Sequence, residues 1–393
     1  MKKTIIIDFG ASLIHTHHSR VILGFIQLLQ KKSQFIVLYL PKGSELDFTN
    51  SKIKLFKNLL PSYHPVEFKF NNLSTWIPTT LRIIYTNTQT KFVYRFTSKI
   101  LSKIIVNVTF RSLKKSHINL EDFLIIFPTA CPISLLLGLK LEKMKIGVRL
   151  IYRMTNTAEH RTYFSNHVNI QDVIKKLSNS IHIDVQFGYE MLEYAHRIPV
   201  KKSQLSYSPT PPCLEIFLPK QRNSEMTFGF LGMAQSHKGI NWLVKIVNDT
   251  FENSIYPKLS WIIQTLPNPS QDIISISKIY NIKLLFGRLN EVDISYAFSK
   301  LDCVCLPYDI SSYAENASAL AYRAADNMVV VATLKGSAFA REIHQYDIGI
   351  VAENLEDLIS KLNQFEKEDY AENIRSYNLM RERKNLEMLR LDN

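Results

Sequence analysis

The chain has 393 residues, 46% of them apolar and 21% charged. That length fits two domains of ordinary size, and the composition excludes disorder as the main state. Net charge is +13, but it is unevenly spread. Residues 1–200 hold 27 Lys and Arg against 12 Asp and Glu, a surplus of +15, while residues 201–393 hold 21 against 23, or −2. The basic excess therefore lies wholly in the first half and points to an anionic partner there.

Membrane spans and metal sites find little support. Ile133–Leu139 is a typical apolar stretch, far short of the ~20 residues of a membrane span. The opening run of three isoleucines stops at Asp8, whereas a signal sequence needs an apolar core of roughly 7–15 residues. A cytoplasmic protein is expected. The four cysteines, Cys131, Cys213, Cys303 and Cys305, include no CxxC pair, so no zinc site is expected. Cys303 and Cys305 share one face of an apolar strand and read as buried thiols.

Along the chain, Thr4–Ile7 reads as a strand, Ser19–Lys31 as a helix and Phe35–Leu40 as a strand ended by Pro41. Unalternated apolar strands separated by helices are the mark of a parallel sheet covered on both faces. The pattern returns in strand Phe123–Phe127, helix Ile133–Lys143, strand Ile146–Tyr152 and strand Ile181–Phe187. Residues Pro209, Pro211 and Pro212 then forbid a helix and favour an extended linker over 206–225. A second series follows. Strands are expected at Thr227–Leu231, Trp261–Gln264, Lys283–Phe286, Cys303–Leu306, Met328–Ala332 and Ile350–Val351. Helices are expected at Gly239–Asn248, Gln271–Tyr280, Val292–Leu301, Ala317–Ala325 and Leu355–Phe365. The charged end, 366–393, reads as helical. The expected architecture is α/β: two doubly wound, Rossmann-like domains, 1–205 and 226–365, facing across a cleft. Ligands of such sheets bind at the carboxyl ends of the strands.

Two loops carry the strongest chemical signals. The first runs from Phe228 to Ile240: an apolar strand ends at Gly232, a polar loop delivers Lys238 and Gly239, and a helix begins. Glycine lets the backbone approach a ligand, the helix start offers unpaired N–H groups, and lysine adds a positive charge. Together they suit a phosphate or diphosphate, though an ordinary β–α loop with a surface lysine would look the same. The second runs from Leu301 to Arg323: a strand ends at Pro307 and Tyr308, and Asp309, Ser311, Ser312 and Glu315 precede a helix starting near Asn316–Ser318. That helix start can grip the same diphosphate, and Glu315 can accept hydrogen bonds from sugar or ribose hydroxyls. Ser312 or Asn316 as a helix cap is the plainer reading, and capping does not exclude binding.

The strand–loop–Lys238-Gly239–helix unit, the Asp302–Tyr308 strand, Met328–Thr333 and Gly349 together resemble the C-terminal half of GT-B glycosyltransferases. The similarity is to the family-4-like branch, which includes bacterial enzymes of capsule and O-antigen synthesis. It covers about residues 226–365 and extends to 1–205 only through the opening strand–loop–helix. It implies that Lys238 and the helix start near Ser318 contact the donor diphosphate, with Gly232, Gly239, Tyr308 and Asn316 beside them. Lys238 and Glu315 are then the catalytic pair, the anomeric configuration is retained, and 366–393 crosses back onto the N-terminal domain. The family usually carries two glutamates eight residues apart after the Pro–Tyr pair. Here Glu315 plus eight is Arg323, and registering on Val329–Thr333 instead puts Ala314 and Tyr322 at the two places. Met233 and Gln235 stand where an arginine is common.

The N-terminal half should hold the acceptor. His15, His17 and His18 follow the first strand without an accompanying carboxylate or thiol, so they read as an acceptor-side loop rather than a metal site. Arg153 and Glu159 follow a later strand and are further acceptor contacts, or else part of a solvated loop. From Phe68 to Leu120 there are nine Lys or Arg and no Asp or Glu. Within it Lys91, Arg95, Lys99 and Lys103 recur every four residues, beside Phe92, Phe96, Ile100 and Ile104. On a helix this makes a basic stripe beside an apolar one, fit to dock on an anionic membrane surface. A core-facing helix with solvated lysines is the plainer alternative. No helix-turn-helix, zinc-finger or RNP signature appears, so nucleic acid is not expected.

The reading is a transferase moving a sugar from a nucleotide-sugar to a glycan or lipid-linked glycan acceptor, peripheral to the cytoplasmic face of a bacterial membrane. No metal cofactor is expected, because lysine and helix terminus neutralise the leaving diphosphate and the sequence has no DxD pair. The competing reading is a catalytically degenerate binding or scaffold subunit of the same fold.

Overall fold

A computed structural model describes residues 3–8, 17–32, 34–41, 52–59, 91–116, 119–128, 132–144, 149–154, 170–177, 181–185, 200–213, 225–232, 236–256, 258–287, 289–314, 317–366 and 368–390. The chain divides into two compact units: 1–186 with 193–207, and 187–192 with 208–393. The break at 207/208 falls inside the segment expected to be a linker.

The first unit contains β1 (Lys3–Ile7), α1 (His17–Lys31), β2 (Phe35–Pro41), β3 (Ile53–Leu59) and α2 (Lys91–Lys115). It continues with β4 (Phe123–Phe127), α3 (Pro132–Lys143), β5 (Arg149–Met154), α4 (Ile170–Lys176), β6 (Ile181–Val185) and β7 (Leu205–Tyr207). Its seven strands form one sheet in the order β3-β2-β1-β4-β5-β6-β7, with every pair parallel. The central strands are buried along their length, as the unalternated runs require: Ile5, Ile6, Leu38, Ile125, Ile126 and Ile183 are all enclosed.

The second unit contains β8 (Met226–Phe230), α5 (Ile240–Asn253), β9 (Leu259–Thr265), α6 (Gln271–Ile279), β10 (Lys283–Phe286), α7 (Glu291–Lys300) and β11 (Cys303–Leu306). Then come α8 (Ile310–Tyr313), α9 (Ala319–Asp326), β12 (Val330–Leu334), α10 (Ala338–Tyr346), β13 (Gly349–Ala352), α11 (Leu355–Asn363) and α12 (Glu368–Arg390). The six strands order β10-β9-β8-β11-β12-β13, again all parallel. Side-chain caps fix where helices begin: Ser270 accepts from Ile273 N–H, Asn290 from Asp293 and Ser337 from Ala340. Cys303 and Cys305 are buried free thiols on β11, and burial pushes the Cys305 thiol up to about 12.

Helix α12, expected to return to the first domain, packs in the second unit on α9 and α10. Its Arg381 is fully enclosed. The guanidinium donates to Asp326 Oδ1 at 2.7 Å and to the Thr210 carbonyl at 2.9 Å, and lies over the Tyr322 and Tyr377 rings. Asn385 donates to the Pro209 carbonyl at 2.8 Å. The proline-rich start of the expected linker, with Ser208, Thr210 and Cys213 buried, is thus held down by α12 as part of a packed surface.

Candidate functional site

In the second sheet the chain winds outward from β8 through β9 to β10, then returns to the other side of β8 as β11. The loops leaving β8 and β11 therefore diverge from neighbouring strands, which opens a crevice at their carboxyl ends. Both loops singled out from the sequence are these two.

After β8 the chain turns at Gly232, whose φ of +105° suits glycine. The Gly232 amide is held from both sides. Its N–H donates to Gln264 Oε1 at 2.6 Å, and its carbonyl accepts from the Lys238 ammonium. Gln264 is buried at the end of β9 and donates in turn to the Gly287 carbonyl at 2.8 Å. A Cβ placed on Gly232 would lie 2.6 Å from Leu320 Cδ1, 3.3 Å from the Tyr308 hydroxyl and 3.4 Å from Lys238 Nζ. The ammonium, the phenol and a leucine methyl thus crowd closely around the Gly232 backbone.

Lys238 ends a short 3-10 turn, Ser236–Lys238, and Gly239 follows with φ +80° as the cap of α5. A Cβ on Gly239 would lie 2.1 Å from the Pro307 carbonyl oxygen, so only glycine lets this turn press against the exit of β11. Partial burial lowers the Lys238 ammonium below the ordinary lysine value. That cation is poorly hydrated and gains from an added anion.

The β11 loop contributes from the other side. Tyr308 is buried, which raises its phenol, and it shares a hydrogen bond with the Ser318 side chain. Ser318 also caps α9, accepting from Ala321 N–H at 3.4 Å. The two loops are joined by the Asp309 N–H, which donates to the His237 carbonyl at 3.0 Å. Asp309 caps α8, and the hydroxyls of Ser311 and Ser312 hold its carboxyl below the usual range.

The structure thus brings together Gly232, Lys238, Gly239, Tyr308 and Ser318. Glu315 and Asn316 lie outside the described residues. The turn before them is pinned by Arg341, whose guanidinium donates to the Ala314 carbonyl at 2.9 Å. The two places at which the second glutamate would fall are both filled. Tyr322 donates its hydroxyl to buried Glu342 at 2.8 Å, and Arg323 donates to Ser295 at 2.9 Å. Gln264, Arg341 and Glu342 were not expected at the site. Gln264 left a trace in the sequence, as a polar amide directly after the apolar run Trp261–Ile263 of its strand.

In the first unit, His17 and His18 are the first residues of α1, while their side chains, like Glu159, lie outside the described residues. Arg153, expected to reach an acceptor, is fully enclosed instead. Its Nε lies 3.8 Å from Asp184 Oδ2 and its guanidinium over the Phe25 ring. A side chain with no exposed surface serves the interior of the sheet, and the apolar strands on either side explain why it needs a carboxylate partner. Asp184 belongs to a longer polar chain: Ser206 donates to its Oδ1 at 2.6 Å, and His182 Nε2 meets Ser206 Oγ at 2.8 Å. Burial lowers His182 to about 4. Lys91, Arg95 and Lys99 lie on α2, with side chains outside the description, and Lys103 is exposed. The basic row continues at exposed Arg111 and Lys115, while Ile105, Val106, Phe110 and Leu113 face inward. Among the described residues no helix is long and apolar enough to cross a membrane.

No family model matches the sequence, and no curated protein matches it either. Solved structures do match, over the whole chain. A trehalose-6-phosphate protein from E. coli bound with UDP-2-fluoro glucose aligns at TM-score 0.63 and 8% identity, covering 99% of this chain and 98% of that one. Sucrose-phosphate synthase from Thermosynechococcus elongatus aligns at 0.59 and 13%, covering 99% and 98%. WaaG, a glycosyltransferase involved in lipopolysaccharide biosynthesis, aligns at 0.56 and 10%, also covering 99% and 98%. The fold is GT-B. The GT-B similarity read from residues 226–365 therefore extends in structure across 1–205 as well. At these identities it is the backbone path that is shared, and the chemistry has to be argued from this chain's own residues.

Proposed function

We propose that the protein is a glycosyltransferase that takes its sugar from a nucleoside-diphosphate donor. The observation carrying this reading is the convergence of Lys238, Tyr308 and the Ser318-capped start of α9 on Gly232, between the loops leaving β8 and β11. Transfer leaves a diphosphate on which negative charge builds as the glycosidic bond breaks. A partly buried ammonium and fixed backbone dipoles stabilise that charge with little reorganisation. Lys238 is the leaving-group cation in this reading, and Glu315 holds the donor sugar or ribose. No metal is needed, since lysine and helix terminus supply the charge, and the configuration is retained. The acceptor is a glycan or lipid-linked glycan of bacterial surface polysaccharide synthesis, taken by the basic first unit near His17, His18 and Glu159. The exposed row of Lys103, Arg111 and Lys115 supports electrostatic docking on an anionic membrane. The inner face of α2 is occupied by α3 and β3.

The experiment is release of nucleoside diphosphate from UDP-, GDP- and dTDP-sugars by the purified chain, with and without EDTA, against Lys238→Ala. Release that survives EDTA and is lost in the variant is the expected result. A specific observation favours one competitor, a binding or scaffold subunit without turnover: neither place for the second glutamate carries a carboxylate, and Tyr322 and Arg323 face buried partners there. Donor binding with no release over long incubation, with acceptor glycans present, would select that reading.

A further inference from the structure

The two loops at the site carry rings that diphosphate binding leaves unused. The His237 ring lies nearly parallel to that of Tyr313, with centroids 6.1 Å apart and 20° between planes. Tyr313 packs on Tyr308 at 4.4 Å, and both meet Phe339 edge-on, at 6.1 Å for Tyr313 and 5.6 Å for Tyr308. The two rear rings, Tyr308 and Phe339, are buried. The two front rings are only half-buried. A cluster serving loop packing alone would be complete with the rear pair. Here two more rings extend it toward the surface, one from each loop.

Their place in the chain gives them a use. His237 precedes Lys238, and Tyr313 lies in the chain between Tyr308, whose hydroxyl approaches Gly232 alongside Lys238, and Ser318, which bonds to Tyr308. The ring pair is also held in place. The His237 carbonyl accepts the Asp309 N–H, and Arg341 fixes the Ala314 carbonyl immediately after Tyr313. In a nucleotide sugar, the hexose is bonded directly to the outer phosphate. It must lie within one ring's reach of the ammonium that holds that phosphate. A pyranose has an apolar C–H face, and half-exposed aromatic surface beside a polar anchor is the usual way to hold such a group.

We propose that Tyr313 and His237 form the platform for the donor's hexose, and so select nucleotide sugars over the bare nucleotide. This rests on Lys238, Gly232, Tyr308 and Ser318 being the diphosphate site. The platform adds affinity only through the sugar, so its contribution appears as a difference between two ligands of one protein. An aromatic contact of this kind is worth about fivefold in affinity.

The test is calorimetric titration of UDP, GDP and dTDP against UDP-glucose, GDP-mannose and dTDP-glucose, on wild type, Tyr313→Ala, Tyr313→Phe and His237→Ala. The matching sugar nucleotide should lose about fivefold in Tyr313→Ala while its nucleoside diphosphate binds as before. Tyr313→Phe should bind both ligands like wild type, and His237→Ala should show the same selective loss if Tyr313→Ala does not fold. Equal weakening of both ligands, or no change in either, overturns the platform and leaves the diphosphate site standing. If no nucleotide binds wild type, the diphosphate reading fails and the platform falls with it.

Discussion

Arg381 offers the sharpest test of how the second unit is held together. Its guanidinium has no exposed surface and Asp326 almost none, at 0% and 3% of the side chain. Replacing Arg381 with Met removes its bonds to the Asp326 carboxylate, the Asn378 amide oxygen and the Thr210 carbonyl at once. Breaking one partner of a buried pair costs about 3–5 kcal/mol, against a total of roughly 5–15 kcal/mol for a domain. For a unit of this size each kcal/mol moves the midpoint by about 2–4 °C, so the variant should melt roughly 6–20 °C lower. Trp261 reports on the right unit, because it is buried beside Phe228 and donates to Thr250. Its fluorescence can be followed through the thermal transition. The double variant Arg381→Met, Asp326→Leu should recover much of the loss, since an apolar pair leaves no unpaired charge. A loss below about 1 kcal/mol, or strict additivity of the two substitutions, would show that the pair does not fasten α12 and would refute the reasoning.

Three further outcomes follow from named contacts. Gly239→Ala puts a Cβ at 2.1 Å from the Pro307 oxygen in a left-handed backbone, whereas Gly287→Ala, also left-handed, meets only Pro267 at 3.6 Å. Strain alone costs about 1–2 kcal/mol, so in calorimetric melts Gly239→Ala should be clearly the more destabilising of the two, and nucleotide affinity should fall with it. His182 is held near 4, below the ordinary 6.5. Its stabilising contribution is complete above pH 6.5 and drains away as the pH falls toward 4, by at most about 3 kcal/mol. Melting temperature should therefore drop more steeply between pH 7 and 4.5 in wild type than in His182→Gln, and parallel curves would contradict this. Replacing Lys91, Arg95, Lys99 and Lys103 with Gln should cut co-sedimentation with anionic vesicles by about tenfold or more, at ~1 kcal/mol per basic residue. Unchanged sedimentation would remove the membrane from the proposal.

Most of the fold was legible because parallel strands buried on both faces read as plain apolar runs. Phe123–Phe127 and Cys303–Leu306 are each enclosed throughout, and each was expected within a residue of where it lies. The elements that escaped lack that signal. β3 is broken by Lys54, Lys57 and Asn58, as an edge strand can be, so it lacks a plain apolar run. β7 is three residues long at the opposite edge, adjoining a proline-rich stretch that suggested only a linker. α10, short and capped by Ser337, is absent from the elements expected. At the site, glycine, lysine and a serine cap have recognisable chemistry in a β–α loop, so Gly232, Lys238, Gly239 and Ser318 could be picked out. What holds them could not. Gln264 comes from a different strand and Arg341 from a helix 27 residues beyond Ala314, and only the folded chain brings them together. Arg153 shows the opposite failure. A charged residue at a strand's carboxyl end suggested a ligand contact, and its buried partner Asp184 lies on the neighbouring strand, 31 residues away, where no local pattern reveals it.

The central claim is that Lys238 and its neighbours hold a nucleoside diphosphate. It is tested most directly by calorimetry and thermal shift with UDP, GDP, dTDP, CMP and their sugars, on wild type and Lys238→Ala. A hydrogen bond to a charged group is worth about 1.5–3 kcal/mol. One nucleotide family should therefore bind wild type, with affinity falling about 10- to 150-fold in the variant. Failure of every nucleotide to bind, or binding that Lys238→Ala leaves unchanged, would contradict the account.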